Sequence, residues 1–179
     1  MGYYFIALVA PATVDQQFLE WKKWMLDQYG CKVAMKSPAH ITLIPPFQMQ
    51  ETEENELHSF MNRFAAGVEP FEIRLNGFGH FDKRVIFVQV DQNQFLGRLY
   101  DRFQHDFLLA YPGLTKADTR AYHPHMTIAT RDIPRQNFQQ ALDHFTPLTF
   151  SAVIPAGELC LLYLRPGKWE IVHRAAFAG

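Results

Sequence analysis

Cysteine is scarce in this sequence. Only Cys31 and Cys160 occur, in no C-x-x-C pair or other ligand spacing, so neither a disulfide framework nor a cysteine zinc site is indicated. An excess of one charge is also missing: seventeen Lys and Arg stand against eighteen Asp and Glu, and no run of five or more like charges occurs. Binding along extended nucleic acid is thereby excluded, because it rests on clustered cations that neutralise phosphates. A short or single-ended phosphate substrate is not. No apolar stretch approaches the roughly 18 residues of a membrane span. Low-complexity linkers and shifts of composition are absent too, so residues 1–179 are expected to form one domain, with a reducing, cytoplasmic setting and a monomeric state as the simplest expectation.

What is present is strongly patterned. The opening "MGYYFIALVAPA" lacks a cationic start and has an apolar stretch of strand length, so it reads as a first β-strand rather than a signal peptide. Gly2 does not signal myristoylation, since Ile6 stands where the motif wants Ser or Thr. A first helix is expected from a capping box at Thr13–Gln16, with Phe18, Trp21 and Met25 on one face and Gly30 as its stop. A second is expected over 52–66, a third from Asn93 to Pro112-Gly113, and a fourth over 134–145. Strands are expected at 3–9, 31–35, 40–44, 71–77, 84–90, 125–129, 148–154, 158–164 and 169–174. Few helices among many strands favour an antiparallel-rich α+β fold over an alternating parallel sheet.

The chain repeats one feature. "SPAHITLIPPF" (37–47) aligns with "YHPHMTIATRD" (122–132) so that His40 meets His125 and Thr42 meets Thr127, each pair preceded by a proline. Two similar lobes around a central cleft are the simplest account: a bilobal, pseudo-duplicated α+β fold. On a strand, residues i and i+2 share a face, so each histidine points the same way as its threonine, opposite Ile41 and Leu43 or Met126 and Ile128. If the two strands lie side by side at the centre of a two-lobed sheet, two imidazoles and two hydroxyls converge. That set suits phosphoester cleavage without a metal or other cofactor. An imidazole titrates near pH 6.5, so one ring can take a proton while the other gives one, and the hydroxyls can donate to the non-bridging phosphate oxygens. A single His-x-Thr in a strand usually means ordinary structure; two copies in matching surroundings favour function.

The pair "HITL" and "HMTI" resembles the HxTx signature of the 2H phosphoesterase superfamily, which includes 2'-5' RNA ligase-like proteins and cyclic phosphodiesterases. Pro124 in "HPHMTIA" and the opening "YFIALVAP" are similar as well, and the order of elements matches over nearly the whole chain. The resemblance implies hydrolysis of 2',3'-cyclic phosphates at an RNA end or on a nucleotide, or ATP-independent 2'-5' ligation. It also implies that His40 is the acid and His125 the base. RNA ligases of this kind often carry a basic residue five positions after the second histidine, where this chain has Thr130, with Arg131 one later. Hydrolysis is therefore expected ahead of ligation.

Further residues are weighed on position. Phe47 and Phe81 could stack on a base, although core packing is the commoner fate in a chain with sixteen phenylalanines. Arg120 and Tyr122 precede the second motif and are favoured for that position, and Lys36 and Arg84 could flank a phosphate, each against the reading of an ordinary surface residue. His58, His105 and His144 read as exposed helix positions, and His80 and His173 as structural. Two other readings use the same segments: a zinc hydrolase centred on His123 and His125, a spacing that zinc can use, and a module that binds RNA ends or nucleotides without turnover.

Overall fold

The computed structural model describes residues 1–116 and 118–179. The chain runs β1 (Gly2–Val9), α1 (Ala12–Tyr29), β2 (His40–Met49), α2 (Glu54–Ala65), β3 (Phe71–Phe81), β4 (Val85–Val90), α3 (Gln94–Ala110), β5 (His125–Thr130), α4 (Phe138–Phe145), β6 (Ser151–Ala156), β7 (Glu158–Arg165) and β8 (Lys168–Ala176). Eight strands form two antiparallel four-stranded sheets, ordered β2-β1-β7-β8 and β5-β4-β3-β6. The α+β expectation thus stands, and the two sheets repeat one plan: the motif strand lies at an edge, beside the strand that precedes it in its half of the chain.

Several local expectations are corrected. The capping box at Thr13 is not used: α1 begins at Ala12 behind Pro11, whose carbonyl accepts the N–H groups of Val14 and Asp15, and no side chain caps it. Proline at that place brings a φ already fit for helix entry. The helix stops at Gly30, whose φ of 72° is left-handed and favours glycine. No strand forms at 31–35. The Asp132 carboxylate takes the backbone N–H groups of Lys32 and Val33, donors that a ladder would need, and a short 3-10 turn follows at Ala34–Lys36. β2 continues through Pro45 and Pro46, which an edge strand tolerates.

The motif strands do not pair at the centre of one sheet. They are edge strands of separate sheets that lie next to one another, with no ladder between them among the described residues. Each is bulged at the same place. Ile6 pairs with Ile44 but Ala7 with Thr42, leaving Leu43 extra; Ile86 pairs with Ala129 but Phe87 with Thr127, leaving Ile128 extra. A bulge of this kind inserts one residue and resets the alternation of faces. Leu43 and Ile44, like Ile128 and Ala129, are therefore buried in succession. Pro45 and Thr130 return to the side of the histidines.

Helices hold the sheets together by crossing over. α1, which follows β1, packs against the sheet of β5 through Trp21 on Phe78 and Phe18 on Phe150. α3, which follows β4, packs against β2 through Phe107 on Phe47. One hydrophobic core therefore spans both sheets, with Tyr4, Ile6, Ile41 and Leu43 contributed by one and Ile73, Ile86, Val88 and Met126 by the other. Phe5, Ala7, Cys160 and Leu162 form a separate small cluster on the opposite face of the first sheet, the face that carries His40.

Candidate active site

The two motifs lie on the adjacent edge strands β2 and β5. His40, Thr42, His125 and Thr127 are half-buried, while Ile41, Leu43, Met126 and Ile128 behind them are buried. His40 packs against Phe5 with ring centres 4.8 Å apart and planes tilted by 41°, and Phe5 in turn makes a T-shaped contact with the half-buried Trp169. His125 packs against Phe81 and Phe87, at 4.8 and 5.1 Å. Both imidazoles are thus walled by aromatic carbon on one side.

Each ring is oriented in the same manner. His40 Nδ1 sits 2.7 Å from the Pro38 carbonyl, and His125 Nδ1 sits 2.8 Å from the His123 carbonyl. A carbonyl only accepts, so Nδ1–H is the donor in both cases. The repeated i−2 carbonyl therefore fixes one tautomer twice and leaves both Nε2 atoms for proton transfer.

Electrostatics separate the two rings. Burial, the largest effect, pushes His40 down to about 4; the positive charges of Lys22 and His125 push the same way, while the Pro38 carbonyl and Asp15 oppose it. His125 is lowered as well, chiefly by burial and partly by the charge of His123, against the pull of the His123 carbonyl. The two rings stand on β2 and β5, edge strands that lie in contact with one another.

A stability effect follows. Between about pH 6.5 and about 4 the unfolded chain binds a proton at His40 that the folded chain does not, so this residue's contribution is full above pH 6.5 and is lost as pH falls toward 4. The loss is on the order of 1 to 3 kcal/mol. Urea midpoints at pH 7 and pH 4.5 are expected to fall less in His40→Ala than in the parent chain. An equal fall in both would show that His40 titrates normally.

The other candidates divide. Phe81 belongs to the site, edge-on to both His123 and His125. Phe47 does not: at 3 % exposure it is packed between Tyr4 and Phe107 in the main core and offers no face to a base. Its position in β2, on the core side after the bulge, is the reason. Tyr122 is stacked on Tyr100 at 3.6 Å, and its Oη–H donates to the Thr42 carbonyl at 3.2 Å, so it ties the approach of β5 to β2 rather than standing free for substrate. Arg120 is exposed and held by two hydrogen bonds to the Asp118 carboxylate. Lys36 and Arg84 are exposed. His58 is not simply exposed, being stacked on His173, and His144 is stacked on Trp24.

His123 is exposed, and no group of three or more His, Cys, Asp or Glu side chains that could hold a metal ion occurs among the described residues. Beside Tyr122 and His123 opens a groove lined also by Val90, Asn93 and Asp101. Sequence reasoning passed over Phe5, Phe87 and Trp169, since a chain with 16 phenylalanines gives no hint of which ones line a cleft. It also passed over Lys22, which reads as one more polar position of a helix.

Comparison with known proteins agrees with this architecture. A family model described as the 2'-5' RNA ligase superfamily matches residues 11–168. A protein of Geobacillus thermodenitrificans (strain NG80-2), named provisionally as a phosphoesterase, is 29% identical over 149 residues, covering 79% of this chain and 80% of the relative. The RNA 2',3'-cyclic phosphodiesterase of Bacillus subtilis (strain 168) is 29% identical over 144 residues, covering 72% of this chain and 71% of the relative. Among solved structures, E. coli LigT complexed with 3'-AMP superposes with a TM-score of 0.67 at 19% identity, covering 99% of both chains, a likeness of fold.

Proposed function

Because the chain belongs to the 2'-5' RNA ligase superfamily, we propose that it is a metal-independent phosphoesterase that opens a 2',3'-cyclic phosphate on an RNA end or a nucleotide. The observation that carries this reading is the twofold repetition of one device: an edge-strand His-x-Thr whose imidazole is oriented by the carbonyl two residues before it. A relative named as an RNA 2',3'-cyclic phosphodiesterase supports the substrate class.

In the proposed reaction a water attacks phosphorus, one bond from phosphorus to a ribose oxygen breaks, and a ribose monoester with a free hydroxyl results. His125 takes the proton of the water and His40 gives one to the leaving oxygen. The difference in surroundings supports this division. An imidazolium held in the more deeply desolvated position is the stronger acid, and the less perturbed ring is the stronger base. Thr42 and Thr127 donate to the non-bridging oxygens, where charge gathers in the transition state. Ligation of RNA ends by the same groups is the reverse type of transfer, and Thr130 on the histidine side supplies a hydroxyl there but no cation for a longer substrate.

The test is a panel of 2',3'-cyclic nucleotides, RNAs ending in a cyclic phosphate and small cyclic phosphates, incubated in EDTA with identification of the product. Initial rates on a 2',3'-cyclic nucleotide are then taken from pH 4 to 9. Both free rings lie below their ordinary value, so kcat/KM is expected to form a bell with its maximum on the acid side of about pH 6.5. Bound phosphate is an opposite charge that favours the imidazolium, so the kcat bell is expected at higher pH. Activity that climbs to a plateau and dies on chelation would replace this reading by a zinc mechanism at His123 and His125. Tight binding of these ligands with no product would leave a binding module.

A further inference from the structure

Burial of an ammonium group is costly, and a chain keeps one only where it is held by partners. Lys22 is 3 % exposed and is the one charged side chain buried among the described residues. Its Nζ donates to the Ser37 carbonyl at 2.8 Å. Two helical turns earlier on α1, Asp15 Oδ1 accepts the Ala39 N–H at 2.7 Å. Between these two anchors lies Pro38, whose carbonyl binds His40 Nδ1. One helix therefore grips both ends of a three-residue turn whose middle carbonyl orients the imidazole. Among the described residues the second motif has no such grip. Its equivalent carbonyl belongs to His123 in an exposed approach.

We propose that Lys22 and Asp15 are positioning residues for His40, which hold the Ser37–Ala39 turn in the shape that presents the Pro38 carbonyl to the ring and set the field in which that ring gains and loses its proton. The assignment rests on reading His40 as a proton-transfer group. The charged groups that bear on His40 are Lys22 and Asp15 from α1 and His125 from β5; β1 presents Phe5, Ala7 and Val9, and the buried thiol of Cys160 on β7 belongs to the same small cluster. The two charges on α1 act in opposite senses on the ring, Lys22 disfavouring the imidazolium and Asp15 favouring it. Lys22 itself is lowered to about 8 by burial, against the pull of Asp15, so it remains charged where His40 titrates.

The opposition supplies a test that a purely structural clamp would fail. His40 is titrated by NMR through its ring carbon-bound proton, assigned by its loss in His40→Ala, in the parent chain and in Lys22→Met, Lys22→Arg and Asp15→Asn. Lys22→Met removes the cation in a side chain of similar length and is expected to move the His40 midpoint up, by about half to one pH unit. Asp15→Asn keeps an acceptor for the Ala39 N–H while removing the anion, and should move it down. Lys22→Arg should stay near the parent.

On a 2',3'-cyclic nucleotide, Lys22→Met is expected to lose about 10- to 100-fold in kcat with KM nearly unchanged, and Lys22→Arg to recover part of that loss. Unchanged midpoints, or movement of both charge-removing variants in one direction, would overturn the proposal. Should Lys22→Met fail to fold by thermal melting, the downward movement in Asp15→Asn decides. The titration needs no turnover, so absence of phosphoesterase activity in the parent chain would sink the functional reading without touching this result.

Discussion

Alanine at His40 or at His125 is expected to cost about 10²- to 10⁴-fold in kcat, the range that one positioned acid or base contributes. Each ring is half-buried at a sheet edge, away from the core face of its strand, so its removal takes little from the main core. Loss of fold is therefore not the expected cause of inactivity, and thermal melts of both variants at pH 7.5 should lie near the parent's. Acid and base work in one step, and groups that act as a unit are strongly non-additive. The double variant is accordingly expected to be scarcely slower than the worse single one. Single-turnover rates on a 2',3'-cyclic nucleotide at fixed pH measure this directly. Either single variant keeping more than about a tenth of the parent rate would remove its histidine from the proton path.

The second large effect belongs to the hydroxyls. Thr42→Val and Thr127→Val each remove one donor while keeping the β-branched shape that suits a strand, so the backbone that carries the histidines is retained. A donor aimed at charge that develops in the transition state is worth about 10²- to 10³-fold at most, and a half-buried, partly solvated hydroxyl should fall at or below the lower end of that range. The loss is expected in kcat more than in KM, because the non-bridging oxygens gain charge on the way to the transition state. Thr130 provides an internal control. It points to the same side as Thr127 but lies beyond the bulge at Ile128, so Thr130→Val should change turnover little. If Thr130→Val proved as damaging as Thr127→Val, the phosphate would have to sit farther along β5 than the motif itself.

Much of this was already legible in the chain. The pairing of His40 with Thr42 and of His125 with Thr127 on one side of a strand depends only on the period of a β-strand, which is local. The four helices were legible for the same reason, since apolar spacing such as Leu57, Phe60, Met61 and Phe64 in α2 reports a face without reference to any partner. Recurrence of the motif in two alike contexts was enough to set these histidines apart from the other six in a chain of eight.

What the sequence could not determine is where the strands go. That β2 and β5 are edges of separate sheets, rather than neighbours in one, depends on pairings between segments far apart in the chain, and those are chosen by total burial and not by local pattern. The bulges at Leu43 and Ile128 arise from register, which no single strand specifies. The absence of a strand at 31–35 follows from Asp132, about 100 residues away, taking its donors. Phe47 and Phe81 were equal candidates as residues, and only the layer into which each fell sent one to the core and the other to the histidines. Lys22 is the extreme case. In the helix it is one polar side chain among several, and it becomes a buried cation beside His40 only because α1 is laid across the second sheet, where the turn that leads into β2 closes over it.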